Sequence, residues 1–364
     1  LQLMDHNSTY AVHPETILRH GAKTDRFTPW TRVENMVSNG AFTLSDWQLN
    51  RRILVEKSTT YWDRDKVKLN GIVFYPTENL VSEERMFRAG QLHYTQTLPL
   101  EKEPVYRDMD NTPYRQAPYL GTYFYGLNTQ RAPLTDRRVR QALSLAVDRQ
   151  RLVDTVLQQA YTPAYAITPP GTMGFQPPKL FDFEPDEARR LLAEAGYPDG
   201  AGFPALEVIF NTSENHRKIA VALQQMWKDE LNIDITLANQ EWKVFQDSVK
   251  RLDFDISRRS WIGDYVDSHN FLELFTSAGG NNRTGFSHSR YDELVLELAP
   301  RARDREERYA YLFEAESLLM EEMPILPIYT YSSQHLVHPS VRGMPPNLMD
   351  AVNFKYVWLD DATL

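Results

Sequence analysis

Residues 253–267 read DFDISRRSWIGDYVD. FDISRRSW has the composition of a strand, and Gly263 closes it before a run of polar and aromatic groups. Two arginines, a tryptophan and the acid Asp264 fall between positions 258 and 264. Three readings fit this stretch by itself. It is a surface loop with a solvated ion pair and a half-buried Trp, a catalytic acid with its partners, or a platform that holds a charged ligand. The surrounding sequence has to choose.

Moving upstream, IDITLANQ (233–240) is a further strand candidate, preceded by the helical run ENHRKIAVALQQMWKDELN and the strand ALEVIF. PDEARRLLAEAGY (185–197) has Pro in its first turn and Gly196 at its end, the usual start and stop of a helix. TDRRVRQALSLAVDRQRLVDTVL opens on the capping residues Thr135 and Asp136 and keeps helical spacing to Leu157. YLGTYFYGLN, from Tyr119, is an aromatic strand. Downstream, EERYAYLFEAESLLMEEM predicts a helix and PILPIYTYSSQHLVH a strand. Strands alternating with helices over short connections predict an α/β unit. Nearer the N-terminus, AFTLSDWQLNRRILVEK predicts a hairpin and GIVFY a third strand. A helix follows from Thr77 to Gly90, and LHYTQTL is expected to be a strand. This order points to a second, mixed α/β lobe.

Bulk numbers narrow the function. The chain has 364 residues, enough for two lobes with their own cores. Apolar residues make up 42% and charged residues 24%, a globular balance. Apolar runs are far too short to span a bilayer. A net charge of −9 argues against non-specific nucleic-acid binding. The absence of cysteine excludes thiolate catalysis, thiolate metal sites and disulfides. No charged-then-apolar leader opens the sequence at Leu1.

Chemical motifs are sparse. No phosphate-binding loop, dinucleotide turn, zinc-protease helix or nucleophile elbow is present. His335 and His338 have metal-like spacing, but no acid is near in sequence, so they are expected to be two surface histidines and no metal site is assigned. His216 reads as a polar residue at a helix start. Aromatics cluster at strand ends: YFY at 123–125, YTY at 329–331, Trp242 and Trp261. They suit core packing, and equally a groove for a ligand with a charged end and apolar parts.

Several stretches taken together are similar to one family. GAFTLSDWQLNRRILVEKSTTYWD (40–63), TDRRVRQALSLAVDR, ITPPG (167–171), ARRLLAEAGY, FNTSENHRKIAVALQQMWK (210–228), NQEWKVFQD (239–247), DFDISRRSWIGDYVD and MPILPIY (323–329) occur in the family's order. The chain thus resembles the periplasmic oligopeptide-binding family of ABC-importer solute-binding proteins, family 5, of the oligopeptide or murein-peptide type, from about Asn39 to Tyr331.

That resemblance implies an α/β, two-lobed type II periplasmic-binding fold with mixed sheets and two crossing strands, near Tyr119–Tyr125 and Pro327–Tyr331. Residues 1–120 plus 330–364 would form the first lobe and 121–329 the second. Family members carry further strands and a small domain before the position matching Leu1, so the first lobe is expected to be incomplete. The implied function is a periplasmic, monomeric, non-enzymatic receptor without cofactor. It would enclose oligopeptides between closing lobes and deliver them to a membrane-embedded permease. A receptor for murein peptides, metal chelates or another solute is the alternative, and a hydrolase acting through Asp264 the remote one.

The same resemblance supplies roles. Asp264 would pair with the ligand's α-amino group as a buried carboxylate, with Trp261 and Gly263 along an extended ligand. Arg258 would meet a carboxylate or balance the acid, His216 would lie towards the ligand's C-terminal end, and Trp242 would line a pocket. Tyr119, Phe124, Asn282 and Tyr329 are further contact candidates. Val249 and Leu157 stand where relatives carry basic residues. Gly121 and Ile262 stand where some relatives carry a cysteine each.

Overall fold

The computed structural model describes residues 7–77, 79–360 and 362. Residues 1–6, 78, 361, 363 and 364 belong to the expected first lobe, with Glu78 in the helix expected from Thr77; they lie outside the described residues. The chain divides into two compact units, Leu1–Ala117 with Ser333–Leu364, and Pro118–Ser332.

The first unit opens with α1 (Pro14–Leu18) and an antiparallel sheet of β1 (Phe42–Gln48), β2 (Arg52–Lys57) and β3 (Gly71–Phe74). β1 and β2 are the expected hairpin. No residue of the three strands is fully buried. α2 (Leu80–Arg88) starts where the Asn79 side chain accepts from the Ser82 N–H, and α3 (Glu103–Arg107) follows. The core of this unit is the cluster Phe87, Leu98, Tyr106, Tyr114 and Leu336. The strand expected at LHYTQTL is reduced to one isolated bridge, Tyr94 to Val337.

In the second unit β4 (Tyr114–Leu127), which begins in the first, enters a six-stranded sheet with β5 (Thr162–Pro163), β6 (Leu206–Asn211), β7 (Ile235–Gln240), β8 (Ile256–Ile262) and β9 (Ile325–Leu336). The order is β5-β9-β4-β8-β6-β7. β6 runs parallel to β7 and β8, while β4 and β8 are antiparallel, so the sheet is mixed. The helix expected from Thr135 to Leu157 is two helices, α4 (Arg137–Leu145) and α5 (Arg149–Thr155). Asp148 divides them, because its carboxylate accepts the Arg151 N–H and caps the second one. α6 (Pro185–Glu194) and α7 (Glu214–Leu231) follow, the latter capped by Ser213 and closed by left-handed Asn232. Trp227 of α7 is fully buried and its indole N–H donates to the Leu143 carbonyl of α4. α8 (Trp242–Lys250), capped by Glu241, has no counterpart in the sequence reading. Short α9 (His269–Leu272) and α10 (Ser289–Asp292) lead to α11 (Arg305–Glu322). Two short strands back in the first unit, β10 (Val341–Arg342) and β11 (Trp358–Leu359), complete the fold.

Three positions singled out in the sequence find physical explanations here. Gly121 and Ile262 are direct partners across β4 and β8, and a Cβ on Gly121 would stand 2.4 Å from Ile262 Cδ1. The two residues are one packing unit: the missing side chain makes room for the larger one. Val249 is core, packed with Ile209, Phe245 and Phe254, and Leu157 is buried, so neither position presents a side chain for a ligand.

His335 corrects an expectation. It is buried, with Nδ1 3.0 Å from the Thr95 carbonyl and Nε2 2.9 Å from Asp350 Oδ1 and 3.2 Å from the Tyr94 hydroxyl. His338 is half-buried with Nδ1 2.8 Å from Ser340 Oγ. Neither is a free surface histidine. The acid missing from the local sequence arrives from fifteen residues further on, and no group of three or more metal-ligating side chains forms among the described residues.

Candidate ligand-binding site

β8 sets the geometry of the site. Successive side chains of a strand point to opposite faces, so Arg258 and Ser260 lie on one side of the sheet and Arg259 and Trp261 on the other. On β4 the same alternation separates Tyr123 and Tyr125 from Phe124.

The first face carries an aromatic cage. Tyr329 is buried and stacks between Tyr123 and Tyr161, with ring centroids 4.7 and 4.3 Å away. Tyr331 packs edge-on against Tyr329 at 5.1 Å and faces Tyr119 at 6.3 Å. Arg258 lies over the Tyr123 ring, its Cζ 4.7 Å from the centroid, and donates to the Tyr331 hydroxyl at 3.2 Å. His216, in the first turn of α7, places Nδ1 3.4 Å from the Tyr123 hydroxyl. Burial, and then the Arg258 charge, push its pKa down to about 3, so it works as a neutral imidazole. The sequence candidates Arg258, His216, Tyr329 and Tyr119 therefore come together. Tyr123, Tyr161 and Tyr331 complete the set, and the 123–125 and 329–331 clusters were the signal for two of them.

The second face carries Trp261, Phe124 and the loop that holds Asp264. Asn270, buried on α9, is the organising residue. Its side-chain oxygen accepts both the Trp261 indole N–H at 3.0 Å and the Asp264 main-chain N–H at 2.9 Å. Gly263 is buried and its N–H donates to the Leu120 carbonyl at 2.8 Å. A Cβ there would stand 2.7 Å from Leu120 Cδ2, so only glycine lets the chain run this close to β4. Phe124 meets Phe275 at 6.1 Å. The Asp264 side chain is exposed, so the buried carboxylate expected from the sequence is not what the fold presents. What is fixed is the backbone that carries it. Asn270 was legible only as a polar residue six positions beyond Asp264, with no signal that it points back.

Two candidates stand apart. Trp242 opens α8, is 55% exposed, and has Phe245 as its ring neighbour at 6.2 Å rather than any member of either group. Asn282 is committed to its own loop. Its amide donates to the carbonyls of Phe275, Thr276 and Phe286, and its oxygen accepts from the Thr284 N–H and hydroxyl. That amide has little capacity left for a ligand.

Comparison with known proteins agrees with this architecture. The family model for bacterial extracellular solute-binding proteins, family 5, matches residues 3–283. The periplasmic murein peptide-binding protein MppA of Escherichia coli is 38% identical over 326 residues, covering 87% of this chain and 60% of that protein. The periplasmic oligopeptide-binding protein OppA of Salmonella typhimurium is 35% identical over 352 residues, covering 94% and 63%. The chain thus spans under two thirds of the length of these relatives. The structure of the Escherichia coli murein tripeptide binding protein MppA superposes with a TM-score of 0.88 at 34% identity, over 98% of this chain and 70% of that one. Haemophilus influenzae OppA in complex with RPPGFSPFR gives 0.85 at 31%, with the same coverage. The first three are named as periplasmic or as peptide-binding proteins. No helix among the described residues is long and apolar enough to cross a membrane. By the family match and the extent of its similarity to these relatives, the chain belongs to the bacterial extracellular solute-binding proteins, family 5.

Proposed function

We propose that this chain is an extracytoplasmic peptide receptor that holds an oligopeptide without altering it and hands it, as a monomer, to a membrane-embedded ABC permease. The observation that carries the reading is the turn after β8. There one buried asparagine fixes both an aromatic side chain and the main chain of an exposed acid. The main chain that carries the Asp264 carboxylate is held in place at the end of the strand, beside Trp261, where a ligand would cover the charge. It then needs a cation in exchange, and a peptide's amino terminus supplies one. Trp261 offers an apolar surface beside that anchor, and the cage around Arg258 and neutral His216 is a second, cationic surface on the other face of the sheet. Recognition through the terminus and main chain tolerates many side chains.

The test is calorimetry with a free-amine tripeptide and its N-acetylated form. Asp264→Ala should weaken the free-amine ligand by about 2 kcal/mol, roughly 30-fold, and leave the acetylated one unchanged. Equal losses for both would remove the anchor role. The likeness to a murein peptide-binding protein supports cell-wall peptides as a second ligand class. Thermal-shift screening of tri- to pentapeptides beside cell-wall peptides separates the two. Intact ligand recovered after prolonged incubation, read by mass spectrometry, is the outcome expected of a receptor.

A further inference from the structure

Arginines elsewhere in the second unit are well supplied with acceptors. Arg149, buried, donates to the carbonyls of Pro327, Ser144 and Val147 and to the Ser144 hydroxyl. Arg140 donates to the carbonyls of Leu134, Thr135, Glu322 and Met323. Arg258 has Tyr331 and the Tyr123 ring. Arg259 and Arg283 are different. They border the same recess, whose walls are Phe124, Trp261, Leu274 and Phe275 with the polar Asn281 and Thr284, and neither guanidinium has a hydrogen-bond or ion-pair partner among the described residues. Both are half-buried. The recess has room for about one water-sized sphere, ≈10 Å³.

Two arginines lining one recess, with no carboxylate among the residues that line it, are an unfavourable arrangement for the protein alone. Burial and then the neighbouring positive charges of Arg283 and Arg258 push the Arg259 pKa down to about 10, the mark of a cation lacking its counter-charge. Such a site gains when an anion arrives, and the planar forks of arginine suit a carboxylate, which can accept two parallel N–H bonds. The recess admits one oxygen rather than a bulky anion such as a phosphate ester. Only a carboxylate oxygen enters so small a recess, and the rest of the ligand lies outside it.

We propose that Arg259 and Arg283 form a carboxylate-receiving subsite on the Trp261 face of the sheet, so that the protein selects ligands carrying an acidic group over their amide counterparts. This rests on the peptide-receptor reading above. The subsite is distinct from Arg258, which the strand places on the other face.

The experiment is calorimetry of wild-type protein, Arg259→Gln and Arg283→Gln with tripeptides that carry Glu or Gln at each position, and with their C-terminal amides. Wild type should prefer a carboxylate ligand about 10- to 100-fold, and each variant should reduce that preference below about threefold. A preference lost on Glu→Gln places the side chain in the subsite; one lost only on C-terminal amidation places the terminus there. Equal binding of acid and amide ligands by wild type overturns the subsite and leaves the peptide reading standing. So does a preference that both variants retain. If no tripeptide binds, the peptide reading falls, and the subsite is judged with glutarate against glutaramide. Stabilisation by glutarate alone, lost in both variants, upholds it; no difference overturns it. Removing one of two like charges relieves repulsion, so both variants should melt no lower than wild type.

Discussion

The two units use similar residues to different ends. In the second, Tyr123, Tyr125, Leu127, Ile256, Trp227 and Leu312 are all shielded completely from water, and the central strands β4 and β8 have neighbours on both edges. In the first, the sheet β1–β3 has no buried residue, and Trp47 and Phe74 are 50% and 41% exposed. An amphipathic strand gains stability only when its apolar face is covered by another layer. The comparison teaches that strand pairing and strand burial are separate achievements. The first unit has the former in its sheet, and its buried contacts gather instead around Tyr106 and Tyr114.

The contrast can be broken most directly at the tryptophans. Trp227→Ala removes a fully buried indole and its bond to Leu143, and should cost about 3–5 kcal/mol in urea unfolding. A loss below about 1 kcal/mol would mean that the second unit is not held by the packing of α7.

A smaller effect compares buried acids. Glu316 in the second unit accepts the Thr168 N–H, and burial raises its pKa to about 7. Glu103 in the first is raised by burial to about 8, with neither oxygen in a good hydrogen bond. A carboxyl whose folded pKa lies above the unfolded value binds its proton more tightly when folded. Its stabilising contribution is full below about pH 4.5 and is lost as the pH rises through the folded pKa. Stability should therefore fall between pH 4.5 and 7 by up to about 3 kcal/mol through Glu316, and on to pH 8 through Glu103. Glu316→Gln and Glu103→Gln should each flatten their share of the pH profile in denaturant melts. A flat wild-type profile would show that water reaches both carboxyls.

The smallest effect lies on the open sheet. Trp47→Thr should change stability by no more than about 0.5–1 kcal/mol, because a half-exposed side chain has little buried area to lose. A loss as large as that of Trp227→Ala would show that this face is covered in solution.

Much of the fold was legible. α7 and α11 follow from apolar spacing, to which the structure adds Ser213 and Asp304 as caps, and the β1–β2 hairpin follows from its alternation. α8 has no counterpart in the sequence reading because its cap is Glu241, one methylene longer than the Asp, Asn, Ser or Thr that usually mark a helix start. LHYTQTL has strand composition but finds only one bridge, since a strand exists through its partner and not through propensity. In the site, the cage residues were half visible as aromatic clusters. Arg259 was hidden beside Arg258 until the strand period separated them.

By itself the sequence determined most of the helices and strands, among them α7, α11 and the β1–β2 hairpin, and it placed two arginines, a tryptophan and an acid on one strand and its turn. Those are local matters of spacing, capping and glycine. Tertiary structure alone decided that Asn270 ties Trp261 to the backbone of Asp264, that Asp350 reaches His335, and that Arg259 and Arg283 share a recess without a counter-charge. Each of these joins elements that the chain holds apart, and a hydrogen bond or a shared desolvation depends on distance in space, which linear order does not encode.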